Sequence, residues 1–572
     1  MLEKSHSILN FVNGSTWRGI RQKYPNDIVI PVWLYADEFE VNDSQSSHNN
    51  RHAVCGIYYN FPTIPAEFGS KLSNIFVAGM LKKIDMKNVG INKLIAALVA
   101  RFAEIEDKGI LLNIKEEAKL VKFVLCLLQG DNLGVHSMLS LSAGFNATFF
   151  CRLCRRPKEL LKKDLVEHAD CLRRRMDYDE DIDINRHSDT GIAGWSLFNE
   201  LPSFHVTENK SVDGMHDFFS TGVCKYGFNE ILDYCIYVKK YFTLVDMNRR
   251  KKEVGEISSD KELIRMPDIT EFYISKKKKK SVSLKMTSNE MRIFCHYFVL
   301  LVGQYIPLRE PIWNYAIHLI KLVEVSLKPS FQLEEIQQLK DLIAIHHSLY
   351  INLFGKELKP KHHFVVHHPS VLLSSGPIFN MMCFRNESKH KGFKQYANII
   401  TSRKNICYTL CVKSYLQFSS DLLSQSFFKP VVTSNFQMSD IRLRSYFQKL
   451  PQPLNVDIGF TLMLSNSVIF KGTNYKTGQF IAKDCLNSML LYEIVEILSL
   501  ENSFYLILHV WNVGSFHNHY LAYETTGCSG IFDIVNINFF TRPPYMIYAV
   551  NRIIDDEIGG RKFLFRVKND FC

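Results

Sequence analysis

Apolar and polar positions alternate in short blocks through the first part of the chain. Residues 28–35, 53–61 and 74–81 are apolar runs separated by polar turns, with no helical spacing between them. That pattern predicts three consecutive strands in an antiparallel meander. The stretch 92–106 then carries Leu94, Ile95, Leu98, Val99, Phe102 and Ile105 at helical spacing. A continuous apolar run, 121–128, predicts a buried central strand, ended by a tight turn at Gly130 that presents Asp131 at its C-terminal edge. A helix at 134–143 and a strand at 147–150 are expected next. From 151 to 355 the texture is mainly helical, clearest at 230–244, 290–308, 312–325 and 333–353. Residues 378–398 read as a helix carrying Glu387, and 399–424 as another. Beyond Pro430 short alternating runs predict strands through Phe565.

The order β-β-β-α-β-α-β over 28–150 is that of an RNase H-like fold, in which the first and fourth strands lie side by side. The expected class is therefore α/β: an RNase H-like mixed sheet with a large, mainly helical insertion and a small β-rich C-terminal domain. The boundaries follow from the changes in texture. Residues 1–27 read as a ragged N-terminal extension and 28–150 as the first part of the catalytic domain. Residues 151–377 form the insertion, 378–424 return the final helices, and 430–572 make the β-rich tail.

Composition narrows the partners more than the fold. Of the 572 residues, 46% are hydrophobic, enough for packed cores. A net charge of +11 with clustered lysine and arginine permits a nucleic-acid partner. The lysine run 276–280 reads either as a solvated loop or as a phosphate contact. The opening ten residues are polar and broken, unlike a secretory signal, and no apolar run reaches the roughly 18–20 residues of a membrane span. The longest candidate, 294–308, is interrupted by His296 and Gln304. A soluble intracellular protein is expected, with no membrane partner, and its 14 cysteines are expected as buried thiols or metal ligands.

Three acids occupy comparable settings: Asp37 after the first strand, Asp131 after the fourth, and Glu387 at the start of a basic helix. Phosphodiester cleavage needs an activated water and relief of charge on the leaving oxygen, which two cations about 3.5–4 Å apart supply. Magnesium, or manganese, takes oxygen ligands and keeps several waters, so a few convergent carboxylates suffice. Each acid alone reads equally well as a surface residue, and Glu38 and Glu40 are easily confused with Asp37. Around Glu387, Arg385, Lys389, Lys391 and Lys394 surround a face shared with His390, which suits a phosphate backbone. In Ser211-Val-Asp-Gly-Met-His216, Asp213 and His216 are spaced to face the same way on a helical turn, so His216 is a candidate to orient a scissile phosphate.

Cys151 and Cys154 supply half of a zinc site. Lys361-His-His-Phe-Val-Val-His-His368 offers the other half, with His362 and His367 as a His-x4-His pair. His363 and His368 are alternatives that the doubled histidines leave open.

These stretches, in this order, resemble the CACTA (En/Spm-like) transposases of animal genomes. Tyr35-Ala-Asp-Glu-Phe-Glu40 follows the first strand as the family's aspartate-bearing acidic stretch does. Gly130 to Leu133 looks like Gly-Asp-Asn-Leu, Cys151 with Cys154 like Cys-x-x-Cys, and Asp213 to Asp217 like Asp-x-Met-His-Asp. Lys359 to His363 is similar to Lys-Pro-Lys-His-His, and Asn386-Glu-Ser-Lys-His390 to Phe-Glu-x-Lys-His. The likeness covers roughly residues 28–420. It implies a DDE-type nuclease and strand transferase acting on double-stranded DNA, both transposon ends and target, in the nucleus, as a homodimer or higher oligomer. Asp37, Asp131 and Glu387 would hold magnesium. The plan is also similar to the V(D)J recombinase core, which implies one structural zinc on Cys151, Cys154, His362 and His367. The chain departs from the family at Asn386, where Phe is usual, and at Ala36, where Tyr is common. No zinc finger or helix-turn-helix precedes residue 28, so a truncated or host-retained product is expected. The alternative is an inactive DNA- or chromatin-binding relic.

Overall fold

In the computed structural model the described residues are 7–41, 53–69, 71–257, 262–270, 282–400, 404–425, 431–433, 437–451, 461–470, 473–485, 488–500, 503–539, 545–553 and 562–568. The lysine run 276–280 lies outside them. The chain forms two compact units: residues 1–223 with 321–427, and residues 224–320 with 428–572.

The first unit is mixed α/β. Its sheet comprises β1 (Ile28–Glu40), β2 (Ala53–Asn60), β3 (Phe76–Lys82), β4 (Ile110–Ile114) and β5 (Glu117–Gln129), in the order β3-β2-β1-β5-β4. β1 is antiparallel to β2 and parallel to β5, with Ile28 opposite Val121 and Tyr35 opposite Gln129. The first and fourth expected strands are thus neighbours. The edge hairpin partner β4 had no alternating pattern to announce it: Leu-Leu-Asn at 111–113 is half-exposed or exposed on both faces.

The period-two geometry of a strand sorts β1 between two cores. Val32, Leu34 and Ala36 pack with Ile95, Val99 and Phe102 of the helix Ile91–Asp107. Tyr35 and Phe39 face the other way, onto Phe393 and Ala397 of the helix Phe384–Ile399 and onto Ile406 and Leu410 of the helix Ile406–Leu423. Asp37 shares the parity of Tyr35 and Phe39, so it emerges on the face covered by the helix that carries Glu387.

Three expectations need correction. Residues 147–150 form turns rather than a fifth strand. Gly144 and Asn146 favour turns, and Phe150 is buried as a loop residue against Phe145 and Phe364. Residues 151–223 belong to the first unit, not to an excursion from it, because Phe198, Leu201, Phe204 and Val206 complete the core over the helix Ile91–Asp107. Residues 11–24 are ordered: Phe11 meets Trp17 and Trp33 edge-on, and the helix Ser15–Lys23 buries Trp17 and Ile20.

The second unit holds helices Leu244–Ile257 and Ser288–Val302, the latter buried on every side from Met291 to Val302. Phe294 and Phe298 pack there on Phe228. Its β part is an antiparallel eight-stranded sheet, dominated by Ser503–His517 paired with Ala522–Asn536, and a three-stranded sheet. No helix among the described residues is long and apolar enough to cross a membrane.

Candidate active site and metal centre

Asp37 lies within β1, opposite Gly56, rather than after the strand's end, and Asp131 lies just past the end of β5; each is two residues beyond the paired Tyr35 and Gln129. The approach is close. A Cβ at Gly130 would lie 3.1 Å from the Ala36 carbonyl oxygen, at a φ of +149° that side chains avoid. Gly130 therefore lets the chain turn sharply against β1. Asp131 then caps the helix Asn132–Met138, its Oδ1 accepting from the Gly134 amide at 2.6 Å. Asp37 is held by the Tyr35 hydroxyl at 3.0 Å and by the Glu38 amide at 2.7 Å. His390 Nδ1, one turn after Glu387, lies 3.8 Å from Asp37 Oδ2.

Glu387 comes from the first turn of its helix. His216 lies between it and Asp213: His216 Nε2 is 3.7 Å from Glu387 Oε1, and Nδ1 donates to Asp213 Oδ2. Asp213 is itself fixed, accepting from the amides of Met215 at 2.9 Å and Cys383 at 3.2 Å. Asp37, Asp131, Glu387 and His216 act on one another electrostatically, but among the described residues the three acids do not form a group close enough to hold a metal ion as they stand.

Protonation reflects the crowding. Burial pushes the Asp37 carboxyl up to about 6, reinforced by the charge of Asp131 and opposed by the Tyr35 hydrogen bond. Burial also raises Glu387 to about 7, with Asp37, Asp213 and Asp131 adding repulsion and His216 opposing it. Burial would lower His216, but the Asp213 hydrogen bond and charge outweigh it and lift the imidazole to about 9. Neighbouring acids that repel one another are eased by a cation, and an all-oxygen donor set is the kind that hard divalent ions take.

The second cluster is fully buried. Cys151, Cys154, His363 and His367 place one ligand atom each within 4.8 Å of all the others. Tetrahedral zinc, with bonds of about 2.05 Å to nitrogen and about 2.3 Å to sulfur, would separate N from N by about 3.3 Å and N from S by about 3.6 Å. The contacts here are 3.1 Å between the two Nε2 atoms, 3.3 Å from Cys154 Sγ to His363 Nε2, and 3.6 Å from Cys151 Sγ to His367 Nε2. The residues fit a zinc-like ion. Burial raises the Cys151 thiol, yet the Cys154 hydrogen bond and the two imidazoles hold it well below its ordinary range. Glu167 Oε1 accepts from His367 Nδ1 at 2.5 Å, the carboxylate support typical of a metal-bound histidine.

The expected ligand His362 is displaced by His363. On the helix Pro360–Val366, residues four apart lie about 40° apart around the axis, whereas residues five apart diverge by about 140°. His363 and His367 therefore share a face. His362 turns away to accept from the Lys359 amide and to pack on Tyr350. His368 bonds Asp217 at 3.2 Å instead.

Sequence reading missed what links the two centres. Arg152, inside the Cys-x-x-Cys loop, donates to the Ser211 carbonyl at 2.8 Å and to Asn132, the neighbour of Asp131. Lys361 and His368 clamp the buried Asp217 beside His216. A basic residue between paired cysteines was the available signal; Glu167 gave none. Lys389, expected at a phosphate, is spent on the Leu72 carbonyl at 2.8 Å. No protein-family model matches the chain, and no curated protein matches its sequence.

Proposed function

We propose that this chain is a transposase-derived, DDE-type nuclease and strand transferase acting on double-stranded DNA in the nucleus as a homo-oligomer. Its scaffold is then RNase H-like. The strand order β3-β2-β1-β5, with a parallel β1–β5 pair at its centre, supports that reading. The observation that supports this reading best is that Asp37, Asp131 and Glu387, from segments separated by 94 and 256 positions in the numbering, lie near enough for Asp131 to act electrostatically on both other acids.

Asp37, Asp131 and Glu387 would hold magnesium, which when bound supplies charge neutralisation on a phosphodiester and an activated water. The chain's own residues set the geometry. Tyr35 and the Glu38 amide fix the Asp37 carboxylate, and the Gly134 amide fixes that of Asp131. Asp213 orients His216, which can donate a hydrogen bond to a phosphate oxygen from Nε2. Cys151, Cys154, His363 and His367 would hold a structural zinc. It would brace the Arg152 loop against Asn132 and Ser211, and so the two segments bearing Asp131 and Asp213.

The test is strand cleavage of duplex DNA with Mg2+ or Mn2+. Cutting that Asp131→Asn abolishes is expected. Salt-sensitive DNA binding without cutting would identify a relic that kept the scaffold and lost the reaction.

A further inference from the structure

A cavity of about 470 Å³ opens on the first unit, away from the carboxylates. One wall is the helix Ser15–Lys23 and the other is formed by residues 173–175 and 207–210. Its charge is one-sided. Lys23, Arg174, Arg175 and Lys210 line it, and the one acid, Glu208, pairs with Arg175 at 3.3 Å. Arg174 is exposed and forms no ion pair with a described residue. Among the described residues Lys23 donates only to a backbone carbonyl, that of Pro202.

Lys210 is the informative member. It is half-buried at the cavity wall, and its ammonium makes no hydrogen bond to a described residue. Burial holds it below the ordinary lysine range, with Glu167 opposing the effect. A partly desolvated ammonium with no hydrogen-bonding partner among the described residues is costly, and an anion entering the cavity would relieve it.

Position suggests which anion. The segment that supplies Lys210 runs alongside β5. Asn209 Nδ2 donates to the Cys126 carbonyl and Ser211 Oγ to that of Leu128, and the same segment reaches Asp213. At about 3.3 Å per residue along β5, the level of the strand that Asn209 contacts lies roughly 15 Å from Asp131. That is about four to five base pairs of a duplex that rises about 3.4 Å per pair.

We infer that this cavity grips the phosphate backbone of duplex DNA about half a turn from the bond held at the carboxylates, with Arg174 and Lys210 as the principal contacts. The inference rests on the proposed DNA-cleaving function and adds a second anchoring point to it.

The experiment is a salt titration of duplex binding by the full, zinc-loaded chain without added Mg2+ or Mn2+, followed by fluorescence anisotropy. Removing one phosphate-binding cation should reduce the slope of log affinity against log salt by about 0.9. Arg174→Ala should therefore weaken binding roughly five- to tenfold near 100 mM salt, and Arg174→Ala with Lys210→Ala should remove about two units of slope. Arg174→Lys should keep the slope, and Lys93→Ala, exposed elsewhere, should leave it unchanged. If the chain binds duplex DNA and the cavity variants keep its slope, the anchoring point is wrong and the nuclease reading stands. If the chain does not bind duplex DNA even at low salt, the nuclease reading and the anchoring point fall together. Stabilisation by inorganic phosphate at constant ionic strength, lost in Arg174→Ala with the DNA slope unchanged, would make this a small-anion site and overturn the inference.

Discussion

Replacing Asp37 by Asn should stabilise the magnesium-free protein and abolish its response to magnesium. Folding raises the Asp37 carboxyl from 3.8 to about 6 through burial and the charge of Asp131. An acid raised by folding contributes stability that is fully present below its unfolded value, near pH 4, and lost as pH rises through about 6. At pH 8 the ionised group is therefore a liability. Two pH units correspond to nearly 3 kcal/mol at about 1.36 kcal/mol each, cut to about 1–2 kcal/mol because the side chain is 29% exposed. Asn preserves the local bonds: its oxygen can still accept from the Glu38 amide, and its Nδ2 can donate to the Tyr35 hydroxyl. The gain should appear in zinc-loaded protein without added Mg2+ as a rise of a few degrees in melting temperature at pH 8, shrinking toward pH 5. Adding 10 mM Mg2+ should raise wild type alone and so cancel or reverse the difference. For a dissociation constant of about 0.1–1 mM, wild type gains about 1.4–2.7 kcal/mol by mass action, and Asp37→Asn gains nothing. Scanning fluorimetry at pH 5.5 and 8, with and without Mg2+, measures all four states. A variant less stable than wild type at pH 8 without added Mg2+, or equally responsive to Mg2+, would refute the idea that Asp37 is a strained metal ligand.

The other predictions concern the remaining groups. Purified protein should hold about one zinc per chain, lost in Cys151→Ser with Cys154→Ser and in His363→Ala but retained in His362→Ala; elemental analysis decides between the two histidines. Glu167→Gln should weaken that zinc about 10- to 100-fold in chelator competition, because His367 loses its carboxylate support. Loading zinc into apoprotein should release protons, since burial is outweighed by Cys151 and Glu167 in lifting His367 to about 9; an unbuffered dye assay would show the acidification. His216→Ala should lower cleavage about 100-fold or more with duplex affinity unchanged, and Asp213→Asn should do so more mildly.

Much of the site was legible before the fold was known, because its chemistry sits at boundaries where patterns change. Asp131 ends an apolar run, and Gly130 announces the turn that exposes it. The β1–β5 pairing followed from an order of elements. What escaped reading was long-range or depended on helical phase. His362 and His363 are adjacent letters, and only the phase of the helix Pro360–Val366 against Cys154 separates them. The edge strand β4 lacked alternation because its residues are half-exposed or exposed on both faces. Residues 151–223 read as an insertion because their helices are short, yet Phe198 and Phe204 seal the core beneath β5. Arg152 owes its role to partners 20 and 59 positions away, which no local pattern encodes.

The most direct test of the central claim is the position of manganese in crystals of the full chain bound to duplex DNA, located by its anomalous scattering. Manganese is expected between Asp37, Asp131 and Glu387 in the wild type and should be lost in Asp131→Asn. Manganese bound elsewhere, or retained at full occupancy in Asp131→Asn, would contradict that claim.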